Sequence, residues 1–226
     1  MSGEPLRVED LVDRLAAVVA SVAPRRAVLG IAGPPGAGKT TLVTRLLAAA
    51  AAHPSLSGHV AHVPMDGYHL TNRELDDLGR RDRKGAPDTF DTAAYAGVLA
   101  AVRAVPRVPV PAPSFDHVEG EPVPDSLVVP VEADLVVTEG NYLLLDEEPW
   151  TSVPPLLDEV WWCGLDADAR VGRLVSRHVG TGRDTDDATA WVLRSDEANA
   201  RRVEGGDARA DVVLVDGVVV RSDPTA

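Results

Sequence analysis

Cysteine is nearly absent, with Cys163 the single thiol in 226 residues. An internal disulfide framework is therefore excluded, and a reducing cytoplasm suits the chain. Cys163 lies in the apolar run Val160-Trp161-Trp162-Cys163-Gly164-Leu165. That setting favours a buried structural thiol over a nucleophile, and strand packing for the two tryptophans. Long hydrophobic runs are missing too: none reaches the roughly 18 apolar residues of a membrane span. The acidic, polar stretch from Met1 to Asp10 has no secretory apolar region. Positive charge is scarce, 22 Lys and Arg against 35 Asp and Glu, for a formal net charge of −13. This argues against a broad nucleic-acid surface and leaves anions to local basic sites. An Asn-Lys-x-Asp guanine element, an internal repeat and a low-complexity tail are lacking, as is a metal-ligand pattern among His53, His59, His62 and His178.

What remains is ordinary for a globular chain: 45% apolar and 25% charged residues, in a length that suits one α/β domain over 1–226 with a small lid or insertion. One stretch stands out. Gly33-Pro34-Pro35-Gly36-Ala37-Gly38-Lys39-Thr40-Thr41 satisfies G-x-x-x-x-G-K-[ST] at every fixed position. The apolar run Ala27 to Ala32 precedes it, and a Leu, Val and Ala run from Leu42 to Ala52 follows. This is the strand, phosphate loop, helix context that the motif requires. Glycines let successive backbone N–H groups face phosphate oxygens, and the following helix aims its positive end at the same anion. Lys39 is expected to reach the outer phosphates, and the Thr40 hydroxyl to ligate Mg²⁺.

Around that stretch the chain alternates helix and strand. Val8 to Ala20 places Val8, Leu11, Val12, Leu15, Val18 and Val19 on one helical stripe. His59 to Met65 reads as a strand ending at Asp66. A polar segment broken by Gly79, Gly85 and Pro87 runs to Asp91, and Thr92 to Val105 is a helix. Residues 106–130, rich in proline and valine, suggest a hairpin projecting from the main sheet. Val131 to Thr138 reads as a buried strand stopping at Glu139, and Val160 to Leu165 as another. Asp168 to Val179 is an arginine-bearing helix, and Asp184 to Val203 a second helix with capping residues at its start. Asp216-Gly217 between apolar triplets signals a terminal hairpin. Strands separated by helices imply a mostly parallel sheet covered on both faces, with ligands at the carboxyl ends of the strands. Asp66 and Glu139 each end a strand on that edge, where a carboxylate can hold magnesium or accept a proton from an attacking hydroxyl.

The ordered motifs carry a resemblance. The phosphate loop is followed by Met65-Asp66-Gly67-Tyr68-His69-Leu70, Pro87-Asp88-Thr89-Phe90-Asp91, Phe115-Asp116-His117, Val137-Thr138-Glu139-Gly140 and the arginine helix. From about Val28 to about Leu214 this order resembles the phosphoribulokinase/uridine kinase family of P-loop kinases, which includes bacterial pantothenate kinase. It is most similar to the uridine kinase-like, nucleoside/nucleotide kinase branch. The resemblance implies a P-loop NTPase three-layer αβα sandwich with a helical lid at 168–186 and a small β-hairpin insertion at 106–130. It implies ATP and Mg²⁺ as cofactors, with Gly33, Gly36, Ala37, Gly38, Lys39, Thr40, Thr41, Arg177 and Arg183 binding the nucleotide. Asp66 would be the general base, aided by Lys39 and Arg173, with Thr40 and Glu139 at the metal. Asp88 would bind sugar hydroxyls, His117 would lie near the base-contacting hairpin, and Arg170 would join the lid arginines at the substrate. Tyr68, His69 and Tyr142 flank the strand ends and could stack on or hydrogen-bond a substrate ring.

Two departures leave the acceptor open. Uridine kinases usually carry Asp-Ser-Phe-Tyr where this chain has Asp66-Gly67-Tyr68-His69, and their tyrosine-rich base element is not clearly present. The longer substrate region of pantothenate kinase is not found either. The expected partner is a hydroxyl-bearing small molecule, nucleoside or sugar-like or of pantothenate type, with no nucleic acid and no membrane and a homodimer left open. A nucleotide-dependent switch is the reading from another class, weakened in its GTPase form by the missing guanine element.

Overall fold

A computed structural model describes residues 7–223. The first six residues of the polar start, and the last three of the expected 1–226 span, lie outside the described residues. The first apolar stripe forms a short 3-10 turn, Val8–Leu11, leading into α1, Val12–Val22, with Val8, Leu11, Val12, Leu15 and Val18 buried. Strand β1, Ala27–Ala32, is buried at every position and runs into the phosphate loop, which opens α2, Lys39–Ala52. Strand β2, Val60–Pro64, passes into a 3-10 turn, Met65–Tyr68, that holds Asp66. Helix α3, Asn72–Asp77, is closed by a reciprocal Thr71–Glu74 cap, and α4 covers Thr92–Arg103 behind an Asp91 cap.

The proline and valine stretch forms the expected hairpin, β3 (Val110–Asp116) antiparallel to β4 (Glu121–Val129) in a two-stranded sheet of its own. Strand β5 spans Leu135–Gly140 and β6 spans Glu159–Gly164. Helix α5 covers Ala167–Gly180, α6 Thr185–Trp191 and α7 Glu197–Arg202, before the terminal hairpin of β7 (Val212–Val215) and β8 (Val218–Ser222). The main sheet has six strands in the order β2-β5-β1-β6-β7-β8, all parallel except β8.

Alternation along the central strands feeds two separate cores. Val28, Val136, Val160 and Trp162 face the side covered by α4 and the hairpin, whereas Leu29, Ile31, Leu135, Val137, Trp161 and Cys163 face α1 and α2. Both faces are buried, so these strands are near-continuous apolar runs rather than alternating ones. The tryptophans and the thiol are packing groups, as their sequence setting suggests. Among the described residues no helix is long and apolar enough to cross a membrane.

Two boundaries differ from expectation. Strand β5 starts at Leu135, because residues 131–134 turn, with the Ala133 N–H on the Pro130 carbonyl at 3.2 Å. It continues through Glu139 and Gly140, because β1 still pairs there, Ile31 with Glu139 and Ala32 with Gly140. Glu139 therefore leaves the strand itself, not the loop beyond it. The helix expected from Asp184 to Val203 contains a wide π-helical turn over Val192–Asp196. That extra residue per turn places Asp196 against His178 of α5 at 3.2 Å.

Candidate active site

The phosphate loop takes its shape from positions only glycine fills comfortably. Gly33 has φ 152°, and a Cβ there would run into the Cys163 carbonyl of β6. Gly36 and Gly38, at φ 78° and 96°, sit in the left-handed region. From this loop α2 projects Lys39 and Thr40 inward. The Lys39 ammonium is buried and donates to the carbonyls of Gly33 (3.0 Å) and Pro34 (3.1 Å) and to Asn141 Oδ1 (2.6 Å). Burial holds its pKa below the ordinary lysine range, with Glu139 pulling the other way.

Two carboxylates arrive from neighbouring strands. Asp66 comes from the turn after β2 and Glu139 from the end of β5, which pairs with β2. Both line a cavity of about 810 Å³ together with Gly36, Gly38, Lys39 and Thr40. The Thr40 hydroxyl donates to Glu139 Oε1 at 3.4 Å. Burial, reinforced by the Asp66 charge, pushes the Glu139 carboxyl up to about 7, against Lys39 and the Thr40 hydrogen bond. The site thus sets two carboxyl groups, partly offset by the Lys39 ammonium, beside a hydroxyl and a phosphate loop.

The same cavity extends over an aromatic wall. His69 Nδ1 lies 2.8 Å from the Asp66 carbonyl, and the ring sits between Phe90 (centroids 4.0 Å) and Phe115 (4.7 Å). Burial lowers the His69 pKa, so the ring is neutral at pH 7. The hairpin reaches this wall because Gly67 carries no side chain; a Cβ there would collide with the Pro113 carbonyl of β3. On the other flank Arg173, Arg177 and Arg183 line the cavity from α5 and the turn after it.

A family model described as the Phosphoribulokinase / Uridine kinase family matches residues 28–221. The chain belongs to this family. Relatives of this kinase family cover most of its length. The Escherichia coli (strain K12) protein YggC is 35% identical over 204 residues, 90% of this chain and 84% of that protein. A Schizosaccharomyces pombe protein assigned as a uridine kinase, C227.14, is 32% identical over 196 residues, 84% of this chain and 83% of that protein. A crystal structure from Silicibacter sp. TM1040, of a protein assigned as a fructose transport system kinase, aligns with a TM-score of 0.78 at 32% identity. It covers 90% of this chain and 98% of that one.

Within this family member, the residues singled out by sequence divide into two groups. Gly36, Gly38, Lys39, Thr40, Thr41, Asp66, His69, His117, Glu139, Arg173, Arg177 and Arg183 all line the one cavity. Gly33 and Ala37 shape the loop behind it, the Ala37 carbonyl accepting from the Cys163 thiol at 3.3 Å. Four residues do not reach it. Tyr68 is buried against Tyr95 (centroids 5.0 Å) with its hydroxyl unpartnered, and Tyr142 is buried with its hydroxyl on the Gly85 carbonyl at 2.5 Å. Asp88 is engaged by Arg83 through two hydrogen bonds, 2.9 and 2.6 Å. Arg170 is buried, donating to the Pro35 carbonyl (3.1 Å) and pairing with Glu197 of α7 (2.9 Å). It braces the loop from behind, so the position expected at the substrate is a scaffold contact. Conversely, Asn141 and Lys84 line the cavity without having been assigned a role. Asn141 follows the Glu139-Gly140 pair directly, which was the available signal.

Proposed function

We propose that this protein is an ATP-dependent kinase that transfers the γ-phosphoryl group to a hydroxyl of a small, sugar-like or nucleoside-like metabolite. The observation carrying this reading is that Lys39 and Thr40, Asp66 and Glu139, from three separate stretches of sequence, line one cavity at the carboxyl ends of the parallel strands. Family membership supports the kinase activity and the use of ATP.

The loop N–H groups and the α2 N-terminus hold the triphosphate. Lys39 turns to the phosphate oxygens by leaving neutral acceptors, so no ion pair has to break. Thr40 and Glu139 would hold Mg²⁺. The fit rests on the Glu139 carboxyl, whose proton affinity is raised by burial and by Asp66 and which has the Thr40 hydroxyl beside it. Bound there, the metal would neutralise charge on the phosphate oxygens. Asp66 orients the acceptor hydroxyl and takes its proton as the new O–P bond forms and the bond to ADP breaks; the proton then passes to solvent. Arg173, Arg177 and Arg183 close over the transferred group and disperse its charge. Arg173 pairs with Asp216 at 3.2 Å where both are largely exposed, a contact weak enough to exchange for phosphate.

The test is ADP release by purified protein with and without a panel of nucleosides, sugars and pantothenate. Acceptor-dependent release is expected; slow release indifferent to every acceptor would point to a nucleotide-driven switch instead.

A further inference from the structure

Lys84 is the feature of the cavity wall that phosphate handling does not use. Its ammonium is partly buried, donates to Asn72 Oδ1 at 2.7 Å and to the Gly120 carbonyl at 2.5 Å, and sits 5.6 Å from the centroid of the Phe115 ring. An ammonium has three N–H donors, so one stays available. Both partners are neutral, and among the described residues Lys84 forms no ion pair.

The surrounding charges make this orphan cation specific. Arg80 and Arg83 are both taken up by Asp88, at 3.4 and 2.6 Å. Arg81, which also lines the cavity, faces Asp76 only at 3.9 Å. On the acidic side, Glu121 supports the Lys84 charge, but its carboxylate is committed to the Asn72 backbone N–H at 3.0 and 3.1 Å. Glu119 lines the cavity from the exposed hairpin tip, and Asp66 belongs to the reacting end. Burial penalises the charged ammonium. A partly buried cation with a spare donor, held in position by Asn72 and Gly120, is arranged for an anion. Meanwhile Asp88, the carboxylate expected to bind sugar hydroxyls, is not offered to the cavity.

We infer that the acceptor carries an anionic group, a carboxylate or a phosphate ester, and that Lys84 binds it beside the His69 and Phe115 rings. Lys84 is then the residue that selects this acceptor class over neutral nucleosides. The inference rests on the kinase reading for its word acceptor, while the anion site itself stands on the geometry of Lys84.

Two measurements separate these levels. In the first, the phosphate loop is saturated with a non-hydrolysable ATP analogue and Mg²⁺, and methyl phosphate and acetate are titrated by calorimetry. Wild type is expected to bind one of them, and Lys84→Gln to bind it about tenfold or more weakly, the worth of one charge-assisted hydrogen bond. Lys84→Arg should retain part of the affinity. Binding that is absent in wild type, or equal in Lys84→Gln, overturns the inference. In the second, ADP release is compared for a pentose, its aldonate and its pentose phosphate. The anionic compounds should exceed the neutral one by about tenfold in kcat/KM, with that ratio collapsing in Lys84→Gln and the better anion naming the source. Turnover of the neutral compound at an equal or higher kcat/KM removes the anionic acceptor and leaves the kinase. Anion binding without ADP release from any compound supports the site and removes the kinase.

Discussion

Lys39 and Asp66 sit in the same cavity but should fail in different ways when altered. Asp66→Asn keeps the size and removes the proposed proton acceptor. Turnover should fall by about 10² to 10⁴, the usual range for a positioned base, with the KM for ATP little changed. Near-normal turnover in steady-state kinetics would remove Asp66 as base. Lys39→Ala should weaken nucleotide binding and turnover together, read by calorimetry with ATP alongside kcat. At this scale the sequence was a good guide wherever backbone geometry favours glycine, as with Gly33, Gly36 and Gly38. It was a poor one wherever direction mattered. Tyr68 and Asp66 are two residues apart in one tight turn, yet one lines the cavity and the other is buried on Tyr95. Arg170, Arg173 and Arg177 share a helix, and only the first turns inward to Pro35 and Glu197. Motif spacing carries no record of which neighbour a side chain will meet.

Elements show a second kind of dependence, on close approach. The turn holding Asp66 and strand β3 touch through Gly67, where any Cβ would enter the Pro113 carbonyl. Gly67→Ala should therefore lift the hairpin away from the aromatic wall. Expected are a stability loss of about 1–3 kcal/mol in denaturant unfolding and a rise in acceptor KM with the KM for ATP held. An unchanged acceptor KM would separate the hairpin from acceptor binding. The hairpin itself was legible from its prolines and valines. Its anchor was not: Arg26 is fully buried and donates to the carbonyls of Val102 (3.1 Å), Val108 (2.9 Å) and Pro130 (3.0 Å), tying both stems of the insertion to α4. An arginine pair before an apolar strand gives no hint of that. The π-helical turn was equally invisible, because the Asp196 contact with His178 that it accommodates runs between two helices and leaves no local pattern.

Across the whole molecule, Asp158 joins parts that are far apart in sequence. Its carboxylate accepts two hydrogen bonds from Arg25 (2.7 and 2.6 Å) and one from the Val28 N–H (2.9 Å), and it pairs with Arg103 of α4 at 2.9 Å. Burial alone would raise its pKa, but the Arg25 bonds, the Val28 N–H and Arg103 outweigh it and hold the carboxyl below its ordinary value of 3.8. The folded state therefore binds this proton less tightly than the unfolded chain. The stabilisation is present above 3.8 and is lost as pH falls through the lower folded value. Asp158→Asn should cost about 2–4 kcal/mol at neutral pH by thermal or urea unfolding, and the gap to wild type should narrow on acidification below about pH 4. A gap constant with pH would mean that packing, not charge, holds the junction.

The α/β order of the main sheet could be read from strand and helix alternation, since each element carries its own period. Which groups knit the layers could not, because Arg26 reaches carbonyls 76 (Val102) to 104 (Pro130) positions away and Arg25 reaches Asp158 across 133.

Among the described residues the hairpin shares no ladder with the six-stranded sheet, its two strands pairing with each other. Its strands can consequently be rewritten without disturbing a ladder hydrogen bond of that sheet, provided Glu121 is kept on the Asn72 N–H and the Gly120 carbonyl on Lys84. Transplanting a related kinase's hairpin between the Arg26 clamps should carry the donor's taste in acceptors along with it, a modular route by which one ancestral engine could have been fitted to many metabolites.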